Sequence, residues 1–185
     1  MKKWNVLAIS GSTRKNSSNE AFIKAISTLC KDQVNLEIYD GIDKLPHFNP
    51  DLDNDQLPES VGSFRNQISK ADGVIFCTPE YVFSIPGSLK NAIEWTVSTT
   101  LFSSKPVAII VASASGEKAY ESLSLIMTTI ESTIGPRSTL LIRGAKGKVD
   151  KEGVVLEETL NQLQVVLNDL IETMNTPDRI PTKYS

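Results

Sequence analysis

The sequence predicts a three-layer α/β fold, in which helices cover both faces of a parallel β-sheet. Short apolar segments rich in β-branched residues alternate along the chain with segments whose apolar residues recur at steps of three and four. The short apolar segments are typical of strands that are buried on both faces. The segments with steps of three and four are typical of amphipathic helices. Five strand and helix pairs in series favour a parallel sheet.

The strands are predicted in chain order at residues 4–10, 34–39, 72–77, 105–112 and 137–144. The apolar residues that predict the first four helices are Phe22, Ala25, Ile26 and Leu29; Val61, Phe64 and Ile68; Leu89, Ile93 and Val97; and Leu123, Met127, Ile130 and Ile134. The fifth helix carries a longer stripe, formed by Leu156, Leu160, Leu163, Leu167, Leu170 and Met174. An irregular tail is predicted after it.

The composition is that of a globular protein with a single domain over residues 1–185. Hydrophobic residues make up 40% and charged residues 22% of the chain, and 22 acidic against 19 basic residues leave a net charge of -3. This balance indicates neither a nucleic acid nor a membrane as partner. The first apolar run is too short for a signal peptide and no run approaches a membrane span, so we expect a cytoplasmic protein.

The first bend of the chain, SGSTRKNSSN at residues 10–19, has the composition of an anion site. It follows the first strand and precedes the first helix, whose N-terminus offers unpaired N–H groups and a partial positive charge. A second interpretation is a capping box, because Ser17 is followed three residues later by Glu20. The loop alone leaves both interpretations open. It lacks the glycine patterns of dinucleotide and nucleoside triphosphate sites.

A second loop, TPEYVFSIPGSLKNAIEW at residues 78–95, begins where the third predicted strand ends. Together the two loops resemble those of the NADPH-dependent FMN reductase family of flavodoxin-like proteins, which read roughly GSxRxxSxN and PEYNxSxPGxLKNAIDW. The segment LPHFNPDLD at residues 45–53 is more weakly similar to the family. The resemblance implies bound FMN and the flavodoxin-like strand order 2-1-3-4-5.

The resemblance also implies which residues bind the cofactor. A flavin needs an anion pocket at one end and a planar slot lined by backbone donors and acceptors at the other. The implied phosphate ligands are Ser12, Arg14, Ser17 and Asn19. The ring would be lined, largely through backbone groups, by Pro79, Glu80, Tyr81, Val82, Phe83 and Ser84, and its pyrimidine side by Ser113, Ser115 and Gly116.

The implied activity is transfer of hydride from NADPH or NADH to bound FMN, and then to a flavin, quinone, azo compound or metal ion. No catalytic acid or base is required. The family is usually oligomeric, so we expect a homodimer or homotetramer. Two alternatives remain: a flavodoxin-like electron carrier, and a flavin-free binding or interaction subunit of the same fold. Such carriers tend to be strongly acidic and rich in aromatic residues around the ring, whereas this chain has 6% aromatic residues.

Two departures from the family pattern bear on substrate choice. Val82 stands where the family usually has asparagine, which removes a side-chain hydrogen-bonding option near the ring or its substrate. The loop SASGEKAYES at residues 113–122 carries Glu117 and Lys118 where the family loop is rich in glycine.

The sequence predicts no metal site. Asp51, Asp53 and Asp55 imitate the start of a calcium loop, but the glycine and glutamate that such a loop needs later are missing, so we interpret them as a solvated turn. The only histidine, His47, has no partner ligand at a suitable spacing and is predicted to lie at the surface.

Overall fold

The structure is a computed structural model that describes residues 3–183. Its five strands form one sheet in the order β2-β1-β3-β4-β5, and every neighbouring pair is parallel. The strands are β1 (Trp4–Ser10), β2 (Val34–Tyr39), β3 (Gly73–Thr78), β4 (Pro106–Ser113) and β5 (Thr133–Arg143). The predicted strand order is confirmed.

Five α-helices cover the two faces of this sheet. They are α1 (Ser18–Cys30), α2 (Glu59–Lys70), α3 (Gly87–Glu94), α4 (Glu117–Thr129) and α5 (Glu157–Asn175), and short 3₁₀ helices lie at Pro50–Leu52 and Ala145–Lys148. The buried residues of α1 and α5 form one core, while those of α2, α3 and α4 form the other. The predicted three layers are confirmed. Among residues 3–183, no helix combines the length and the apolar character that crossing a membrane requires.

Side chains alternate between the two cores along each central strand. On β1, Leu7 and Ile9 face α2 and α3, whereas Val6 and Ala8 face α1 and α5. All six residues of β3 are buried. This alternation has a period of two, so a strand in the middle of the sheet needs apolar residues at almost every position.

The boundary between the fourth helix and the fifth strand differs from the prediction. Helix α4 ends at Thr129, and Ile134, which continues its apolar spacing, lies instead in β5. The start of β5 escapes prediction because it is irregular: Ile134 pairs with Val107, but the next regular pair joins Thr139 to Ile109. Val97 and Leu156 were also predicted on helix faces, yet both lie just outside their helices and are exposed.

The irregular part of β5 is held by a buried carboxylate on α5. Asp169 accepts hydrogen bonds from the Arg137 N–H at 3.0 Å and from the Ser138 hydroxyl at 2.7 Å. A Cβ atom on Gly135 would lie 2.2 Å from the same carboxylate. Glycine and the buried aspartate therefore make this bulge together.

The segment after β2 fixes the position of α3 and therefore of the second loop. The Phe48 N–H donates to the Asn91 side chain at 2.7 Å, and the indole N–H of the buried Trp95 donates to the Pro46 carbonyl at 2.7 Å. The prediction of a solvated aspartate turn is wrong for Asp53, whose nearly buried carboxylate pairs with Arg65 at 2.7 Å. His47 is exposed, as predicted.

The tail after α5 is irregular, as predicted, but it is attached to the start of β5. The Thr182 N–H donates to the Ser132 carbonyl at 2.9 Å, and the Ile134 N–H donates to the Thr182 hydroxyl at 2.8 Å. The last two residues of the predicted tail, at positions 184 and 185, lie outside the described residues.

Candidate functional site

A cavity of about 690 Å³ lies at the carboxyl edge of the sheet, where the loops after β1, β3, β4 and β5 meet. Ligands of open parallel sheets bind at this edge. Seven of the predicted site residues line the cavity: Ser12, Arg14, Ser17, Asn19, Pro79, Tyr81 and Ser113. Seven further residues line it without having been predicted: Asn16, Ser18, Ala112, Ala114, Gly144, Ala145 and Lys146.

The N-terminus of α1 presents free hydrogen-bond donors at this cavity. Ser17 is the N-cap, and its hydroxyl oxygen accepts the Glu20 N–H at 3.2 Å. In the part of the chain that the structure describes, the N–H groups of Ser18 and Asn19 have no acceptor. Two donors at the positive end of a helix dipole are suited to an anion.

Capping and anion binding are compatible at Ser17, so the two interpretations of the first loop need not exclude each other. Its hydroxyl oxygen accepts the cap hydrogen bond while its hydrogen stays available as a donor. Glu20 completes the cap by accepting the Asn16 N–H at 2.9 Å, and it pairs with Lys24 at 2.7 Å. The hydrogen bond with Lys24, followed by that from Asn16, lowers the pKa of Glu20.

The charged residues that line the cavity are all basic. Its lining includes the cations Arg14 and Lys146 but neither aspartate nor glutamate. Arg14 is exposed, and none of the ion pairs found within residues 3–183 includes it. Its guanidinium is therefore available to a ligand.

Asn19 lines the cavity, but its side chain also connects three elements. The amide donates to the Ala112 carbonyl at 3.2 Å, and the amide oxygen accepts the Cys77 thiol at 3.3 Å. Burial raises the pKa of the Cys77 thiol, so it stays protonated. Asn19 thus ties the first turn of α1 to the ends of β3 and β4, leaving its backbone N–H for a ligand.

The glycine of the first loop is required by packing. A Cβ atom on Gly11 would lie 2.1 Å from the hydroxyl oxygen of Thr78, which is fully buried at the end of β3. The Gly11 N–H also donates to the Cys77 carbonyl at 2.9 Å. Gly11 therefore brings the ends of β1 and β3 together beneath the cavity.

The second loop contains a tight turn with an unusual backbone. Tyr81 and Ser84 exchange backbone hydrogen bonds of 2.9 Å and 3.1 Å, and between them Val82 and Phe83 have φ values of 51° and 55°. This is the pattern of a two-residue type I′ turn, which favours asparagine and glycine. Val82 is 94% exposed and Phe83 78% exposed, and neither of them, nor Ser84, lines the cavity.

Glu80 is not among the residues that line the cavity, and its carboxylate caps a helix. Its carboxylate accepts the N–H groups of Lys118 at 2.8 Å and Ala119 at 3.0 Å, at the start of α4. The N-cap of that helix is Gly116, which has no side chain to do this. Glu80 therefore connects the second loop to the third, and both of these loops contribute residues to the cavity lining.

The third loop contributes Ser113 to the cavity, while Ser115 and Gly116 lie outside its lining. The Ser115 hydroxyl donates to Glu117, which also accepts from Arg143 at 2.7 Å. These hydrogen bonds, that from Ser115 first, lower the pKa of Glu117 to about 2. Gly116 has a φ of 99°, and a Cβ there would lie 2.7 Å from Leu141.

The described residues include no group of three potential metal ligands.

Comparisons with known proteins identify the family of the chain. Residues 4–147 match the NADPH-dependent FMN reductase family. The chain is 35% identical over 163 residues to an NAD(P)H-dependent FMN reductase of Pseudomonas aeruginosa, covering 85% of this chain and 88% of that protein. It is 34% identical over 171 residues to an NAD(P)H:quinone oxidoreductase of Solanum tuberosum, covering 88% of each.

Among solved structures, the protein is similar to the flavoenzyme NAD(P)H:(acceptor) oxidoreductase FerB from Paracoccus denitrificans. The TM-score is 0.81 with 28% sequence identity, over 92% of this chain and 97% of that one. An azoreductase from Bacillus anthracis shares the fold, with a TM-score of 0.61, 18% identity and coverage of 92% of this chain and 97% of the other. The chain belongs to the NADPH-dependent FMN reductase family.

Proposed function

We propose that the chain is an NAD(P)H-dependent FMN reductase, with one FMN-binding domain over residues 1–185. The observation that supports this most is the lining of the cavity, which combines free N–H donors and Arg14 with residues of the loops after β3 and β4 and contains no carboxylate. These features fit a flavin mononucleotide, whose dianionic phosphate needs donors and whose planar ring needs a slot.

Bound FMN supplies the redox chemistry, since its ring accepts hydride from a reduced nicotinamide and passes electrons to a second substrate. The residues of the chain would bind the cofactor and orient it. The first turn of α1, with Ser17 and Arg14, would hold the phosphate through charge-assisted hydrogen bonds. Pro79, Tyr81 and Ser113 would lie along the ring, and Glu80 would keep the second and third loops at a fixed separation. No acid or base is assigned.

The electron acceptor, the cellular location and the oligomeric state are part of the same proposal. We expect a small oxidised acceptor such as a flavin or quinone, because quinone oxidoreductases are among the relatives. An azo compound or a metal ion is a further candidate. We expect a cytoplasmic homodimer or homotetramer. The exposed apolar tip at Val82 and Phe83 lies beside the cavity and is a candidate for the subunit contact.

Steady-state kinetics test the proposal. The purified protein with FMN should oxidise NADPH or NADH when a quinone or free flavin is added, and double-reciprocal plots should be parallel because the two substrates bind in turn at one site. A protein that binds FMN but oxidises neither nucleotide would instead support the electron-carrier alternative.

A further inference from the structure

The segment after β5 adds a basic residue to the cavity that neither loop motif of the family contains. Lys146 lies in the short 3₁₀ helix Ala145–Lys148 and lines the same cavity as Arg14, Ser17 and Asn19. The 3₁₀ helix packs against α1, the helix whose N-terminus carries the free donors. Lys146 therefore lines the same cavity as the first turn of α1.

The backbone around Lys146 is anchored on both sides. The Gly144 N–H donates to the Ala114 carbonyl at 3.1 Å, and the Gly147 N–H donates to the Gly144 carbonyl at 2.8 Å. Gly144 has a φ of 61°, the left-handed conformation that turns the chain at the end of β5, and Ala145 is buried. The anchored backbone keeps the exposed Lys146 in the lining of the cavity.

Two basic side chains near Lys146 in the sequence already form ion pairs. Arg143 pairs with Glu117 at 2.7 Å, and Lys148 pairs with Glu158 at 3.1 Å. Within residues 3–183, no acidic side chain pairs with Lys146. Together with Arg14 it leaves the cavity with two uncompensated positive charges, which matches the charge of a phosphate dianion.

We propose that Lys146 is a second phosphate-binding cation of this site, and that the phosphate is the 5′-phosphate of FMN. The inference rests on the proposed function. Its consequence is selectivity for the phosphorylated flavin, because riboflavin has the same ring but no phosphate. The competing source of a phosphate is NADPH, whose 2′-phosphate distinguishes it from NADH.

The test is a fluorescence titration of the flavin-free protein with FMN and, separately, with riboflavin. Lys146→Met removes the charge and keeps most of the side-chain length. Because an exposed charge contact contributes less than a buried one, we expect the Kd for FMN to rise by about three- to tenfold, and that for riboflavin by less than twofold. Raising the salt concentration should reduce the difference between variant and wild type.

Two further variants make the result specific. Lys148→Met changes the same 3₁₀ helix at a lysine that is already paired and does not line the cavity, so it should leave both dissociation constants within twofold of wild type. Lys146→Arg keeps the charge and should retain most of the affinity for FMN. A thermal melt of each variant checks that it is folded.

Four outcomes would overturn the inference. An unchanged Kd for FMN in Lys146→Met would remove the residue from the phosphate site, as would an equal change in Lys148→Met. If FMN binding were unchanged but KM rose for NADPH and not for NADH, Lys146 would serve the nicotinamide nucleotide instead. If wild type bound no FMN, the proposed function would fail together with this inference, which the wild-type titration alone reveals.

Discussion

Individual side chains around the cavity divide into those that line it and those that hold the loops together. Arg14 and Ser17 belong to the first group, and Glu80 and Gly11 to the second, although the family resemblance placed Glu80 along the ring. Sequence could find the first group because hydroxyl and guanidinium groups beside a helix start indicate anion binding. It could not assign the second, because Glu80 accepts hydrogen bonds from Lys118 and Ala119, which lie in a helix far along the chain.

Arg14→Ala should weaken FMN binding much more than it weakens the fold. The exposed guanidinium has no ion-pair partner in the described part of the chain, so its loss should change stability little. A charge-assisted hydrogen bond to a phosphate contributes about 1.5 to 3 kcal/mol. The measurement is a flavin titration beside a urea unfolding curve, and an unchanged affinity in a folded variant would exclude Arg14 from the site.

Val82→Asn should stabilise the protein. A β-branched residue at a φ of 51° is strained, and asparagine tolerates this conformation, so we expect a gain of about 1 kcal/mol in the free energy of unfolding. Because the Val82 side chain is exposed and outside the cavity, FMN affinity should not change. The control is Val97→Asn, at an exposed valine without positive φ. No gain, or the same gain in the control, would contradict this explanation.

At the scale of elements, the site depends on how three loops are tied together at one edge of the sheet. The strands and the helix faces could be predicted from apolar runs and from apolar residues at steps of three and four, whereas the strand order came from the family resemblance. The start of β5 could not, because its bulge at Gly135 depends on Asp169 from a helix far along the chain. Lys146 was missed for a related reason: a lysine between glycines gives no signal until the fold brings it to α1.

Glu80→Gln should loosen the connection between the second and third loops. The substitution removes the negative charge from the N-terminus of α4 and weakens two hydrogen bonds, so we expect a loss of about 1 kcal/mol in stability and a higher Kd for FMN. Glu121→Gln on the same helix, which removes only a surface pair with Lys118, is the matched control. Equal effects of the two substitutions on FMN binding would argue against a positioning role for Glu80.

At the scale of the whole molecule, the ion pair between Asp53 and Arg65 should contribute to the pH dependence of the free energy of unfolding. Hydrogen bonds from Ser98 and Arg65 lower the pKa of Asp53 in the folded state. A carboxyl whose folded pKa is depressed stabilises the fold above its unfolded pKa, about 3.9, and this contribution is lost as the pH falls through the folded value. Urea unfolding at pH values from about 7 down to about 3 should show the onset of this loss.

Asp53→Asn should flatten this acid-dependent part of the curve, because asparagine does not titrate. Asp51→Asn changes an exposed aspartate in the same turn and should leave the slope unchanged. If the wild type and Asp53→Asn lost stability in parallel on acidification, the pair would not be a source of the pH dependence.

The most direct measurement for the whole account is the visible absorbance of the protein mixed with FMN, before and after NADPH is added in the absence of oxygen. We predict that FMN binds with a shifted, better resolved flavin band, that NADPH bleaches this band, and that a quinone restores it. A protein that leaves the FMN spectrum unchanged and passes FMN through a desalting column unbound would contradict the central claim that this cavity is a flavin site.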